Sequence, residues 1–123
     1  MPYRKIEVST WNDRKFRKLS HDAKLVFFML LTHPSMLSVG CFKASPPGLA
    51  AELDMEPEAF LKAFREALEQ GMVEFDAEAC LVVLPNFLKY NKPESPNVVR
   101  SWDKMLHLVP ECDLRTRYFH RVG

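Results

Sequence analysis

The sequence predicts an α+β fold: three core helices, a small antiparallel sheet and a C-terminal helical extension. Three observations carry that expectation. Between Pro57 and Gly71 an amphipathic helix runs into a glycine stop. A tight two-stranded hairpin with acids at its tip follows, ending at Pro85. Ahead of Pro57 lie two further helical segments with one short strand between them. At 123 residues the chain suits one compact domain of about 100 to 150 residues with an appendage.

Tyr3 to Leu19 reads as an arm with a short strand or turn, because Ile6 and Val8 alternate before Trp11, Phe16 and Leu19 appear among charges. Ser20 is the expected N-cap of the first core helix. Ala23, Val26, Phe27, Leu30 and Leu31 recur there at helical spacing. Since Leu25, Phe28 and Met29 fill its other faces, this helix is expected to be buried nearly all round. His33-Pro34-Ser35 ends it, and Val39 to Lys43 suffices for one strand. Ser45-Pro46-Pro47 reads as a cap followed by proline in the first turn, where the missing N–H does no harm. The helix it opens, carrying Leu49, Ala50 and Leu53, needs only two or three turns. Asp54-Met55-Glu56 is the turn before the next helix.

That next helix, from Pro57, places Phe60, Leu61, Phe64, Ala67 and Leu68 on one face and Glu58, Lys62, Arg65, Glu66 and Glu69 on the other. Glu58–Lys62, Lys62–Glu66 and Arg65–Glu69 stand four apart and can pair across turns. Gly71 is the expected left-handed stop. Met72–Phe75 and Cys80–Leu84 are rich in strand formers and too close together for a crossover, so they form an antiparallel hairpin. With the strand near Gly40 as third member, the order helix, strand, helix, helix, strand, strand is that of a winged helix-turn-helix. Residues 1–90 are therefore expected to form a winged-helix domain with an N-terminal arm. Past Asn91-Lys92-Pro93-Glu94-Ser95-Pro96, a polar joint, residues 91–123 read as a helical extension or the start of a further domain. Val98, Val99, Trp102, Leu106 and Val109 suggest one helix, and Leu114, Tyr118 and Phe119 a last short one. They could pack back on the core, pair between subunits or begin another domain.

Charge is balanced overall, at +1, but unevenly spread. Residues 1–24 hold seven basic side chains against three acids, residues 25–84 three against nine, and residues 85–123 seven against four. The three cysteines are widely spaced without a CxxC pair, which suggests a reducing compartment and neither metal nor disulfide design. The most apolar run, Leu25–Leu31, is too short to cross a membrane, and no leader is expected ahead of the first charges. A cytoplasmic protein is the expectation.

The order and spacing of Trp11-Asn12-Asp13, Leu19 to Leu25, Val39-Gly40, Leu49 to Leu53, Ala67 to Val73 and Leu84 to Asn91 resemble the N-terminal winged-helix domain of phage replisome organisers and the related DnaD-like primosomal proteins. The resemblance runs from about Tyr3 to Val99. It implies a role in starting DNA replication by helping to recruit or load the replicative helicase, with origin DNA, the helicase or its loader, and further copies of the chain as partners. It also implies that Pro57–Gln70 is the recognition helix and Met72–Leu84 the wing. Two positions depart from the family pattern: Glu56 replaces a small polar cap, and Asp54 replaces a turn glycine.

The charges complicate that assignment. A recognition helix needs donors for base edges and positive charge near phosphates, and this one offers Lys62 and Arg65 against four glutamates. Glu74, Asp76 and Glu78 would bring a repelling wing to DNA. The better polyanion candidates are Arg14, Lys15, Arg17 and Lys18 around Phe16, with Lys24 in the following helix, and, more weakly, Lys89, Lys92, Arg100 and Lys104. A solvated charge run is the plain alternative. Phe27, Phe28, Phe60, Phe64 and Phe75 read as core. Trp11, Phe87, Tyr90 and Trp102 either seal the ends of the domain or pack against a partner. Two other functions therefore stay open: a protein-interaction or oligomerisation module without DNA affinity, and a transcriptional regulator of the same fold.

No enzymatic chemistry is expected. His21, His33, His107 and His120 lack zinc spacing with cysteine or carboxylate, and no activated nucleophile is apparent. None of the four glycines is followed by lysine, so no GxxxxGK[ST] phosphate loop exists. No cofactor or metal is expected.

Overall fold

The computed structural model describes residues 3–93 and 95–122. Glu94 of the polar joint lies outside the described residues. The chain is α+β. Among the described residues, seven α-helices accompany one three-stranded antiparallel sheet: α1 (Arg14–Arg17), α2 (His21–Leu31), β1 (Cys41–Lys43), α3 (Pro46–Glu52), α4 (Pro57–Glu69), β2 (Glu74–Asp76), β3 (Leu81–Val83), α5 (Phe87–Tyr90), α6 (Pro96–Met105) and α7 (Asp113–Val122).

The arm contains no strand. Val8–Asn12 is a 3-10 helix and Asp13 caps α1, its carboxylate accepting from the Phe16 N–H at 3.0 Å. The Ile6/Val8 alternation meets no sheet edge, and both side chains are exposed. Phe16 turns inward and is buried between flanking cations that remain outside.

Ser20 caps α2 as expected, its hydroxyl oxygen accepting from Ala23 at 3.2 Å. Glu66 on α4 holds that cap in turn. Its carboxylate accepts from the Ser20 N–H at 2.9 Å and the Ser20 hydroxyl at 2.6 Å. These bonds, the hydroxyl's first, keep the Glu66 carboxyl below its ordinary 4.5. Glu66 therefore serves α2 rather than pairing with Lys62. None of the three expected i,i+4 ion pairs of α4 closes within 4.0 Å among the described residues. Helix α2 is also less enclosed than its composition suggests, since Leu25 is half exposed.

Ser45 caps α3 with proline in its first turn, and Asp54 takes the left-handed conformation (φ 53°) in the turn to α4. Glu56 makes no side-chain cap. Gly71 stops α4 at φ 71°, where the Met72 N–H bonds to the Ala67 carbonyl and the Gly71 N–H to that of Leu68. That cap uses the Met72 amide, so β2 begins two residues later than the strand formers suggest. At the hairpin's far end Asp76 accepts from the Ala79 N–H at 2.8 Å and Cys80 is left-handed at φ 55°, so β3 starts at Leu81.

The sheet order is β1-β3-β2. Register aligns Phe42, Val82 and Phe75 across one face, which packs on α2, α3 and α4, and aligns Cys41, Val83 and Glu74 across the other. Because β3 is buried along both faces, the second face needs a cover, and α7 supplies it. Leu114 and Tyr118 pack there with Val39, Cys41, Leu81, Val83 and Val109. The Tyr118 hydroxyl donates to the Val39 carbonyl. Among the described residues, α7 folds back on the sheet. Burial pushes the Cys41 thiol up to about 12.

Gly40 sits beside this contact at φ 99°. A Cβ there would lie 2.6 Å from both the Phe87 Cβ and the Tyr118 hydroxyl. Gly71 has a similar φ but open space around it. Gly40→Ala should therefore cost about 3 kcal/mol or more, combining left-handed strain with overpacking, and Gly71→Ala about 1 kcal/mol. Urea denaturation of both variants measures the difference. Glu66→Gln should lose about 1 kcal/mol at pH 7. A carboxyl whose folded pKa is depressed stabilises the fold above its unfolded value and ceases to as pH falls through the folded one. The gap between Glu66→Gln and wild type should accordingly close as the pH drops well below 4.5, which paired denaturation curves at pH 7 and pH 3 would register.

Candidate nucleic-acid interface

Apart from Arg100 and Lys104, which lie on α6, the basic residues singled out from sequence separate into three places. Arg14, Lys15, Arg17 and Lys18 are all exposed, the first three on the single turn α1 and Lys18 just past it. None has a carboxylate within 4.0 Å among the described residues. Lys24 lies back over the Phe16 ring, its Nζ 5.5 Å from the centroid, and so belongs to the same patch. The Ser20–Glu66 clamp ties the end of this patch to the middle of α4.

Lys62 and Arg65 stand apart on the outer face of α4, exposed with Glu58 and Glu69. With the ionised Glu66 beside Lys62, two cations meet three acids and that face is slightly negative. The hairpin is less repulsive than its composition suggests. Glu74 is paired with Arg121 of α7 at 2.6 Å, and the Asp76 carboxylate is engaged in its own turn. Of the three hairpin acids, Glu78 alone forms no ion pair or hydrogen bond with its side chain among the described residues.

Lys89 and Lys92 belong to the third place, where the arm runs along α5. The Asn91 side chain grips the backbone of Lys5, accepting from its N–H at 2.7 Å and donating to its carbonyl at 3.5 Å. A cleft of about 490 Å³ on one side of this strap is lined by Lys5, Lys15, Lys89 and Tyr90. A second, of about 200 Å³, opens on the other side and is lined by Tyr3, Arg4, Lys5 and Lys92. The fold thus brings Lys15, Lys89 and Lys92 together along the arm, while Lys62 and Arg65 line neither cleft.

The aromatic residues offered as partner contacts divide likewise. Trp11 is 61% exposed and Tyr90 39%. Phe87 is buried against Gly40 with the Arg4 guanidinium over its ring, and is not available to a partner. Trp102 is half-buried on the α7 side, its indole N–H donating to the Ser38 hydroxyl at 2.8 Å, so it seals this chain's own packing. Sequence reasoning passed over Arg4, Lys5 and Arg121. Tyr3-Arg4-Lys5, an aromatic followed by two cations, was a readable signal. The Arg121 partner, 47 residues away, was not.

No protein-family model matches the chain, nor does any curated protein or solved structure.

The strap is testable alone. Asn91→Ala removes both of its bonds, so the Lys5 amide should exchange with solvent at least tenfold faster while amides of β3 keep their protection. Hydrogen-exchange NMR reads both. Cys41 should stay unmodified by a thiol reagent at pH 8 until the chain unfolds, whereas the part-exposed Cys80 and Cys112 react in the folded state.

Proposed function

We propose that this chain is a winged-helix adaptor of DNA replication initiation, which binds duplex DNA through the cationic turn at Arg14–Lys18 and helps to recruit the replicative helicase. Support for the winged-helix reading comes from the run α2, β1, α3, α4, β2, β3 with sheet order β1-β3-β2. The DNA contact rests on one observation above all: four exposed cations on one helical turn and its edge, without ion-pair partners among the described residues, beside a cap clamped to α4. Phosphates release counterions on meeting such a cluster, and binding then weakens steeply with salt. The outer face of α4, where acids outnumber cations, argues against that helix supplying most of the affinity. The replication role itself rests on the sequence resemblance.

A second reading has its own support. Trp11 and Leu25 are exposed, and the Trp11 ring lies 6.2 Å from that of Phe28 and 5.3 Å from that of Phe16. That apolar face suits a protein partner or another copy of the chain. A molar mass that rises with concentration, and stops rising in Trp11→Ser, would favour it.

For DNA, anisotropy titrations of a labelled duplex across a salt series give the decisive quantity. Neutralising Arg14, Lys15, Arg17 and Lys18 together should flatten the slope of log K against log salt by roughly three, given about 0.9 per neutralised phosphate. Lys62→Ala with Arg65→Ala should weaken binding less than about threefold, in keeping with a face on which acids already outnumber cations. An unchanged slope in the fourfold variant would overturn the proposed contact.

A further inference from the structure

We infer that the two clefts, one on each side of the strap that ties down the arm, together hold a single strand of nucleic acid and share only Lys15 with the duplex contact of α1. Both clefts are lined by Lys5, Phe87 and Asn91, so the Lys5–Asn91 strap is their common wall. Five cations then border one path: Lys15, Lys89, Lys5, Arg4 and Lys92. Glu7 and Asp13 also line the larger cleft, where its three lysines outnumber them. Among the described residues no carboxylate lines the smaller one.

Arg4 gives that smaller cleft its chemical character. Its two terminal nitrogens are satisfied by the carbonyls of Tyr3 and Met36, each at 3.2 Å, and its guanidinium lies 5.4 Å from the Phe87 ring centroid. Its Nε is buried and has no hydrogen-bond partner among the described residues. Val98, in the first turn of α6, lines the same cleft.

The remaining walls suit bases. Tyr3 is 71% exposed in one cleft and Tyr90 39% in the other, with the Lys89 ammonium 5.3 Å from the Tyr90 ring centroid. A cationic track interleaved with accessible aromatic faces is how single strands are held without sequence preference. A duplex keeps its bases stacked inside, so it cannot lay them on the exposed Tyr3 and Tyr90 faces, whereas an unpaired strand can.

This proposal extends the nucleic-acid reading above and can fail separately from it. Three fluorescein-labelled probes are titrated into the intact chain: a twelve-nucleotide oligothymidylate, an abasic strand of the same length, and a duplex. Oligothymidylate should bind at least tenfold more tightly than the abasic strand, and Tyr90→Ala should abolish most of that preference. Lys5→Glu with Lys89→Glu should weaken oligothymidylate binding at least tenfold and flatten its salt slope by about 0.7 for each phosphate no longer neutralised, while duplex affinity moves less than threefold. If charge reversal disturbs the circular dichroism spectrum, Lys5→Gln with Lys89→Gln replaces it and should act in the same direction. Equal binding of abasic and oligothymidylate strands would overturn the groove and leave only polyanion attraction. So would a parallel loss of duplex and single-strand affinity in the Lys5/Lys89 variants. Duplex binding without single-strand binding ends this proposal and spares the duplex contact. Binding to neither probe ends both.

Discussion

The Tyr118 hydroxyl bonded to the Val39 carbonyl is the contact on which the rest of the molecule hangs. It pins α7 across the second face of a sheet whose central strand, β3, has no solvent-facing side. The contact needs the chain at Gly40 to turn with positive φ and to lack a Cβ, which lets Phe87 close in from the opposite direction. Phe87 then carries the Arg4 guanidinium over its ring, and Arg4 bonds to Met36. A line of touching groups thus runs from the last helix, through a glycine, to the arm. Loosening Tyr118 would uncover apolar sheet and also remove the floor on which the arm rests.

This connection explains which parts of the fold could be read in advance. Ser20, Ser45 and Gly71 act within one turn of themselves, so their capping roles were legible from neighbouring residues alone. Most of the buried face of α4 was legible because spacing fixes it, but Leu61 at its edge is exposed and Ala63 takes a buried place. The hairpin's existence was evident but its ends were not. The cap of α4 consumes the Met72 amide, and Cys80 adopts a conformation that strand propensity does not anticipate. Placing α7 was beyond local reading, since Tyr118 meets a carbonyl 79 residues away. The arm misled because alternation signals a strand only where a sheet edge waits for it.

The site divides along the same line. The four cations around Phe16 are consecutive enough to be seen as a patch, and the structure leaves them exposed as one. The groove walls come from residues 3–5 and 87–92, brought together by the Asn91 side chain across 86 positions. Nothing in either segment alone announces a cleft. Charge counted along the sequence gives three acids in the hairpin but not their local uses: the fold employs Glu74 to hold α7 and Asp76 to shape the turn.

The hairpin's acids have a further effect, unrelated to DNA. β2 is an outer strand of the sheet, three residues long, and carries carboxylates at both ends. A bare edge offers unpaired amides and carbonyls to any strand from another molecule, and the usual outcome is aggregation. Short length and negative charge both discourage such addition, and the Glu74–Arg121 bridge sets a bulky ion pair beside the start of the edge. The residues that make this hairpin a poor reader of a polyanion thereby help to keep separate copies of the chain from joining through their sheets.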